Sequence, residues 1–174
     1  GSPDTIEALR RADTQLGRIL DHLEVEDMSA ETDIFVLSDH GHSTVTEVVE
    51  IDALLVREGV KQDEGSTDVL VAENGGCAFL YVPDHNQEKL RAVVELLMQQ
   101  AWCGPVFTLA GPESLPGTFP LSLIGNEHDH SPDILMSFAW SSDANGAGVK
   151  GLARSCGHIA VGNGNHGSLS PYEV

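Results

Sequence analysis

The run Asp33-Ile34-Phe35-Val36-Leu37 constrains this chain more than any other stretch. It is β-branched and aromatic without alternation, which is how a strand covered on both faces of a parallel sheet reads. Such a strand needs helices on both sides, so the expected fold is α/β with a mostly parallel sheet between helices. The run stops at Ser38-Asp39-His40-Gly41, and the carboxyl end of a strand is where an open α/β sheet places its ligand sites.

The flanking patterns agree with that class. Ser2-Pro3-Asp4 reads as a helix start, with Ser2 as N-cap, and Ile6, Leu9, Leu16, Ile19, Leu20 and Leu23 form one apolar stripe ending near Glu24. Asp52 is placed to cap a short helix through Glu58 that Gly59 ends. Asp68 to Val71 and Cys77 to Val82 flank Glu73-Asn74-Gly75-Gly76, a turn that predicts a hairpin. From Asn86 to Ala101 the residues Leu90, Val93, Val94, Leu97, Met98 and Ala101 recur at helical spacing. Val106 to Leu109 reads as a strand, Gly111 to Ser131 as loop, and Asp133 to Phe138 as another core strand. In the glycine-rich remainder, Ile159 to Val161 is at most a short strand. This order predicts a core formed by residues 1–49 and 129–174, with a small α+β cap inserted at 50–128.

Nine basic residues against 27 acidic ones give a net charge of -18, which repels phosphate backbones and anionic lipid surfaces. A nucleic-acid-binding surface is therefore not expected. The excess reads as a solvated acidic surface, with attraction of metal cations as the functional alternative; an adaptation to salt would look the same. Apolar residues make up 41% of the chain but form no run of membrane-spanning length. Cys77, Cys103 and Cys156 are odd in number and widely spaced, so packed thiols are expected in place of a disulfide framework or zinc ribbon.

Asp39 and His40 would point to opposite sides within a strand, but the turn beginning at Gly41 releases His40 so that both reach one cation. A hard oxygen with an imidazole nitrogen suits zinc or another first-row divalent ion. On spacing alone, Asp-His-Gly serves equally well as a turn. Glu127-His128-Asp129-His130 is the strongest rival cluster, although adjacent loop side chains rarely converge on one ion. His22, His85 and His158 read as structural or surface residues. His42 reads as a loop histidine or one that orients a ligand or meets substrate. The nucleophile-elbow and phosphate-loop patterns both fail around Ser43, Ser168 and Gly162 to Gly167.

Ile34 to Gly41 resembles the metal-binding motif of the type I phosphodiesterase/nucleotide pyrophosphatase branch of the alkaline-phosphatase superfamily. Asn165-His166-Gly167-Ser168-Leu169-Ser170 is similar to the later segment carrying that family's last ligand histidine. Residues 1–24 resemble the helix following the family's Pro-Asp-x-x-x-His segment. The resemblance implies a three-layer alkaline-phosphatase-like core and two divalent metal ions, with zinc as the expected metal. It implies that Asp39 and His40 bind one ion and His166 the other, with Gly41 and Gly167 allowing tight turns. It further implies in-line displacement at phosphorus on a small phosphoester such as a nucleotide. The family's Thr or Ser nucleophile and its earlier ligands have no counterpart here; Asp4 reads as a helix-start acid. The chain is thus expected to be a C-terminal part supplying about half the bimetal site and inactive alone, with the nucleophile upstream. Phosphonoacetate hydrolases, sulfatases and phosphomutases share related ligands, and a noncatalytic module with a decayed site is the reading from a different class.

Overall fold

The computed structural model describes residues 3–173, so the expected Ser2 cap lies outside the described residues. The chain divides into two compact units, residues 1–39 with 146–149 and residues 40–145 with 150–174. The first contains α1, Pro3–Val25, with Asp4 in its first turn and no buried residue. Its apolar stripe is exposed at Ile6, Leu9, Ile19 and Leu20.

Residues 33–37 do not form the expected buried strand. They lack regular structure, and Phe35, Val36 and Leu37 are 81%, 73% and 86% exposed. The physical reason is that a strand exists only through hydrogen-bonded neighbours, and among the described residues none pairs with this segment.

The second unit begins with β1, Ser43–Val48, and α2, Ile51–Arg57, which buries Ile51, Leu54 and Leu55. Asp52 does not cap α2. It lies in the first turn, and its carboxylate accepts from buried Lys61 at 2.7 Å, pairing a charge that would be costly to bury alone. The hairpin follows as expected, with β2, Leu70–Asn74, antiparallel to β3, Cys77–Tyr81, across Gly75-Gly76. The second helix of the pattern is α3, Gln87–Met98, where the Asn86 side chain accepts from Lys89 N–H as a true N-cap. It buries Leu90, Val93, Val94 and Leu97, each worth about 1.5–3 kcal/mol.

Beyond α3 come β4, Cys103–Thr108, a one-turn helix α4, Gly111–Ser114, and β5, Phe119–Pro120. The strand β6, Ile134–Phe138, is buried along its whole length. It pairs between β3 and β4, giving the five-stranded order β2-β3-β6-β4-β5. A single residue, Ala139, separates β6 from β7, Trp140–Ala144, which belongs to the other sheet with β8, Lys150–Ser155, and β9, Gly164–Asn165. That four-stranded sheet runs β7-β8-β1-β9. Residues 159–161 form no strand: 159 and 160 are irregular and Val161 begins a turn.

The fold class is α/β, with four α-helices and two mixed sheets among the described residues. The sheets are not mostly parallel: only β1 with β8 and β4 with β5 run parallel, while the other pairs are antiparallel. Connection length accounts for two of the antiparallel pairs, because the short β2–β3 and β7–β8 links permit hairpins and no parallel crossover. The main core joins α2 and α3 to the five-stranded sheet through Leu55, Leu80, Val93, Leu97, Met136 and Phe138. Among the described residues no helix is long and apolar enough to cross a membrane.

Candidate functional site

The Gly75-Gly76 turn fixes where the chain places His166. Gly75 and Gly76 carbonyls accept from Cys156 N–H at 2.9 Å and Phe138 N–H at 3.0 Å, joining the hairpin to both sheets. Gly76 N–H donates to the His166 carbonyl at 2.8 Å. A side chain at Gly76 would collide with the Ser168 backbone nitrogen, so the close approach requires glycine. Gly167 has φ +97° and packs so tightly that a Cβ would sit 2.7 Å from the Asn74 carbonyl oxygen.

Three imidazoles gather at this end of the second unit. His40 and His166 stack at 4.1 Å between ring centroids with planes 26° apart. His42 lies edge-on, 4.9 Å from His40 and 6.0 Å from His166. His40 Nδ1 is 2.8 Å from the Gly41 carbonyl oxygen; an acceptor there requires Nδ1–H to donate. Gly41 N–H donates to the Glu173 carbonyl at 3.1 Å, and a Cβ on Gly41 would strike the Tyr172 carbonyl. Asp39 belongs to the first unit and is exposed there.

Stacked rings present faces to each other, so His40 and His166 do not aim two nitrogens at one point. Among the described residues no group of three or more His, Cys, Asp or Glu is arranged to hold a metal ion. Among the described residues two buried side-chain atoms lack a hydrogen-bond partner, Asn165 Nδ2 and Glu173 Oε1, and both belong to the segment that carries His166. Buried polar atoms are normally paired, so this segment departs from the rule where the histidines meet. A small cleft of about 250 Å³ adjoins His166 and is lined also by Glu73, Asn74, His158 and Asn165.

The rival cluster lies elsewhere. Asp129 and His130 line an open cavity of about 560 Å³ with His85 and Asp133. Asp133 is 6% exposed and accepts from Val82 N–H and from His85 Nδ1, the latter at 2.5 Å. This hydrogen bond, followed by the charge of Asp133, raises the pKa of His85 above the ordinary imidazole value. The cysteines are all free thiols, and burial pushes Cys103 up to about 11 and Cys156 up to about 12.

Around His166 stand Glu73, His158, Asn165 and Glu173, to which sequence reasoning gives no site role. His158 and Glu73 carry no local motif. Glu173 reaches the site through bonds of both its backbone and its carboxylate.

The histidine cluster thus sits where two turns of a mixed α/β unit meet. The sequence profile of the type I phosphodiesterase/nucleotide pyrophosphatase family matches residues 1–155. The chain belongs to that family, and at family level this points to hydrolysis of small phosphoesters or nucleotides. The match ends short of His166. Comparison with curated proteins and with solved structures returned no match.

Proposed function

We propose that this chain contributes to metal-dependent hydrolysis of phosphodiester or nucleotide pyrophosphate bonds, with His40 and His166 each giving one nitrogen to a different divalent ion and Asp39 sharing the ion of His40. The observation that carries the reading is the His40–His166 stack. Its 4.1 Å spacing is of the same scale as the roughly 3.5–4 Å between ions in two-metal sites. The donor set fits: Nδ1–H of His40 donates to the Gly41 carbonyl, the backbone partner that commonly orients a ligating imidazole. Imidazole with carboxylate favours zinc.

When bound, the two ions supply charge stabilisation to the phosphoryl and leaving oxygens of an in-line displacement. The chain's own residues hold and orient. Gly41 and Gly167 let the two turns approach, and His42, edge-on to both rings, stands where it can meet substrate or steady a ligand. The nucleophile and the remaining ligands have no counterpart among these residues, so we assign them to sequence outside the 174, which would also complete a three-layer core around residues 1–49 and 129–174, with 50–128 as cap.

The reading predicts that the purified 174 residues do not hydrolyse a nitrophenyl phosphodiester, whereas a longer chain carrying a Thr or Ser nucleophile does, losing activity on His166→Ala. Turnover by the 174 residues alone that Asp39→Ala abolishes would overturn the shared-site assignment.

A further inference from the structure

We infer that Glu173 is a positioning residue that holds the His40 and His166 turns in register. The inference rests on the proposed role of those histidines and concerns what places them. Glu173 is 5% exposed, and its groups reach both turns. Its backbone carbonyl accepts from Gly41 N–H at 3.1 Å, beside His40. Its side-chain Oε2 accepts from Ser168 N–H at 2.8 Å, two residues after His166. Its own N–H donates to the Ser170 carbonyl at 3.0 Å, closing a compact turn. Ser170 Oγ in turn accepts from Ser43 Oγ at 3.1 Å, both residues fully buried, so the same turn also fastens the entry to β1.

A carboxylate accepting from a backbone N–H makes a stronger bond than a neutral acceptor does. The other oxygen, Oε1, is buried without a donor. Mere packing would be served by an apolar side chain of the same length, without an unpaired oxygen in the interior. The half-satisfied carboxyl is instead placed so that one residue spans the two histidine turns. Glu173 touches neither ring through any hydrogen bond described; it acts through Gly41 and Ser168.

The test uses the metal-free 174-residue chain and reads the histidine ring signals by NMR. Stacked imidazoles shift each other's ring protons upfield, and exposed His22 on α1 provides the reference. Glu173→Met keeps the length and removes the acceptor; the His40 and His166 signals are expected to move to the position of His22. Glu173→Gln keeps an acceptor for Ser168 N–H and is expected to retain the stacked shifts. In the unsubstituted chain the Ser168 amide should exchange slowly with solvent, which needs no variant to fold. Wild-type ring shifts in the Met variant, loss of the stack in a folded Gln variant, or an unprotected Ser168 amide would each overturn the inference.

A Co²⁺ titration then separates this from the metal reading. The Met variant is expected to bind about 10–100-fold more weakly than the unsubstituted chain, as when a ligand's supporting partner is lost. If the unsubstituted chain binds no Co²⁺, the metal reading fails and the ring signals alone decide the role of Glu173.

Discussion

Replacing Gly76 by alanine tests how the hairpin holds the histidine site. The glycine has an ordinary backbone conformation, so the new methyl group costs nothing in φ. The cost is contact. A Cβ there would sit 2.8 Å from Ser168 Cβ and 2.9 Å from the His166 carbonyl oxygen, besides colliding with the Ser168 nitrogen. Carbon contacts normally lie at about 3.5–4.0 Å, so the loop must retreat by roughly an ångström. None of the obstructing atoms is the far end of a flexible side chain. Retreat also stretches the 2.8 Å bond from Gly76 N–H to the His166 carbonyl. Overpacking of this kind costs about 1–3 kcal/mol, and a net hydrogen bond adds about 1. For a chain of 174 residues that corresponds to a fall of about 4–12 °C in thermal midpoint. The assay is thermal unfolding followed by circular dichroism, with the histidine NMR signals recorded on the same sample. Gly76→Ala is expected to lower the midpoint within that range and to shift the His166 ring signals. A midpoint within about a degree of the parent, with unchanged His166 signals, would refute the view that the hairpin turn sets the position of this loop.

Two further outcomes follow from ionisation. His85 gains its partner Asp133 on folding and its pKa is raised, so its contribution to stability is fully present below the unfolded value of about 6.5 and is lost as pH rises through the higher folded value. The thermal midpoint of the parent should therefore fall relative to that of His85→Gln across this window; parallel profiles would refute the link. With Cys103 at about 11 and Cys156 at about 12, thiolate is scarce at pH near 8, and a chromogenic disulfide reagent should modify both at least about tenfold faster in denaturant than in the native chain. Equal rates would show that burial does not protect them.

Where local pattern and tertiary packing agree, this fold is legible from its residues. The helix over 87–98 announces itself because Leu90, Val93, Val94 and Leu97 share one face and Asn86 caps it. The β2–β3 hairpin is legible because Asn74-Gly75-Gly76 permits little else. In contrast, β8 is hidden: its inward positions are Gly151, Ala153 and Ser155, too small to register as an apolar alternation. They are small because a neighbour fills the space, as the Tyr172 ring does against Gly151, 2.7 Å from where a Cβ would stand. The strand β1 has two threonines and alternates in burial only from Ser43 to Thr46, a signal overshadowed by the preceding His-Gly turns. Residues 33–37 have the composition of a strand, but composition cannot supply the hydrogen-bonding neighbours that make one. At the site, the pairing of distant His40 with His166 comes from the family resemblance. Glu173 escapes because much of its contribution lies in backbone bonds, which no side-chain motif encodes.

The exposed segment from Ile34 to Leu37 also governs how this chain behaves in concentrated solution. Four consecutive strand-forming apolar residues, uncharged and without proline, are a template on which further copies can add edge to edge. What keeps copies apart is the net charge of -18, a long-range repulsion acting before the segments meet. That barrier is electrostatic, whereas the attraction is hydrophobic, so added salt weakens the first and strengthens the second. The colloidal stability of the chain is thus set by ionic strength, and the acidity that repels nucleic acid also restrains self-assembly.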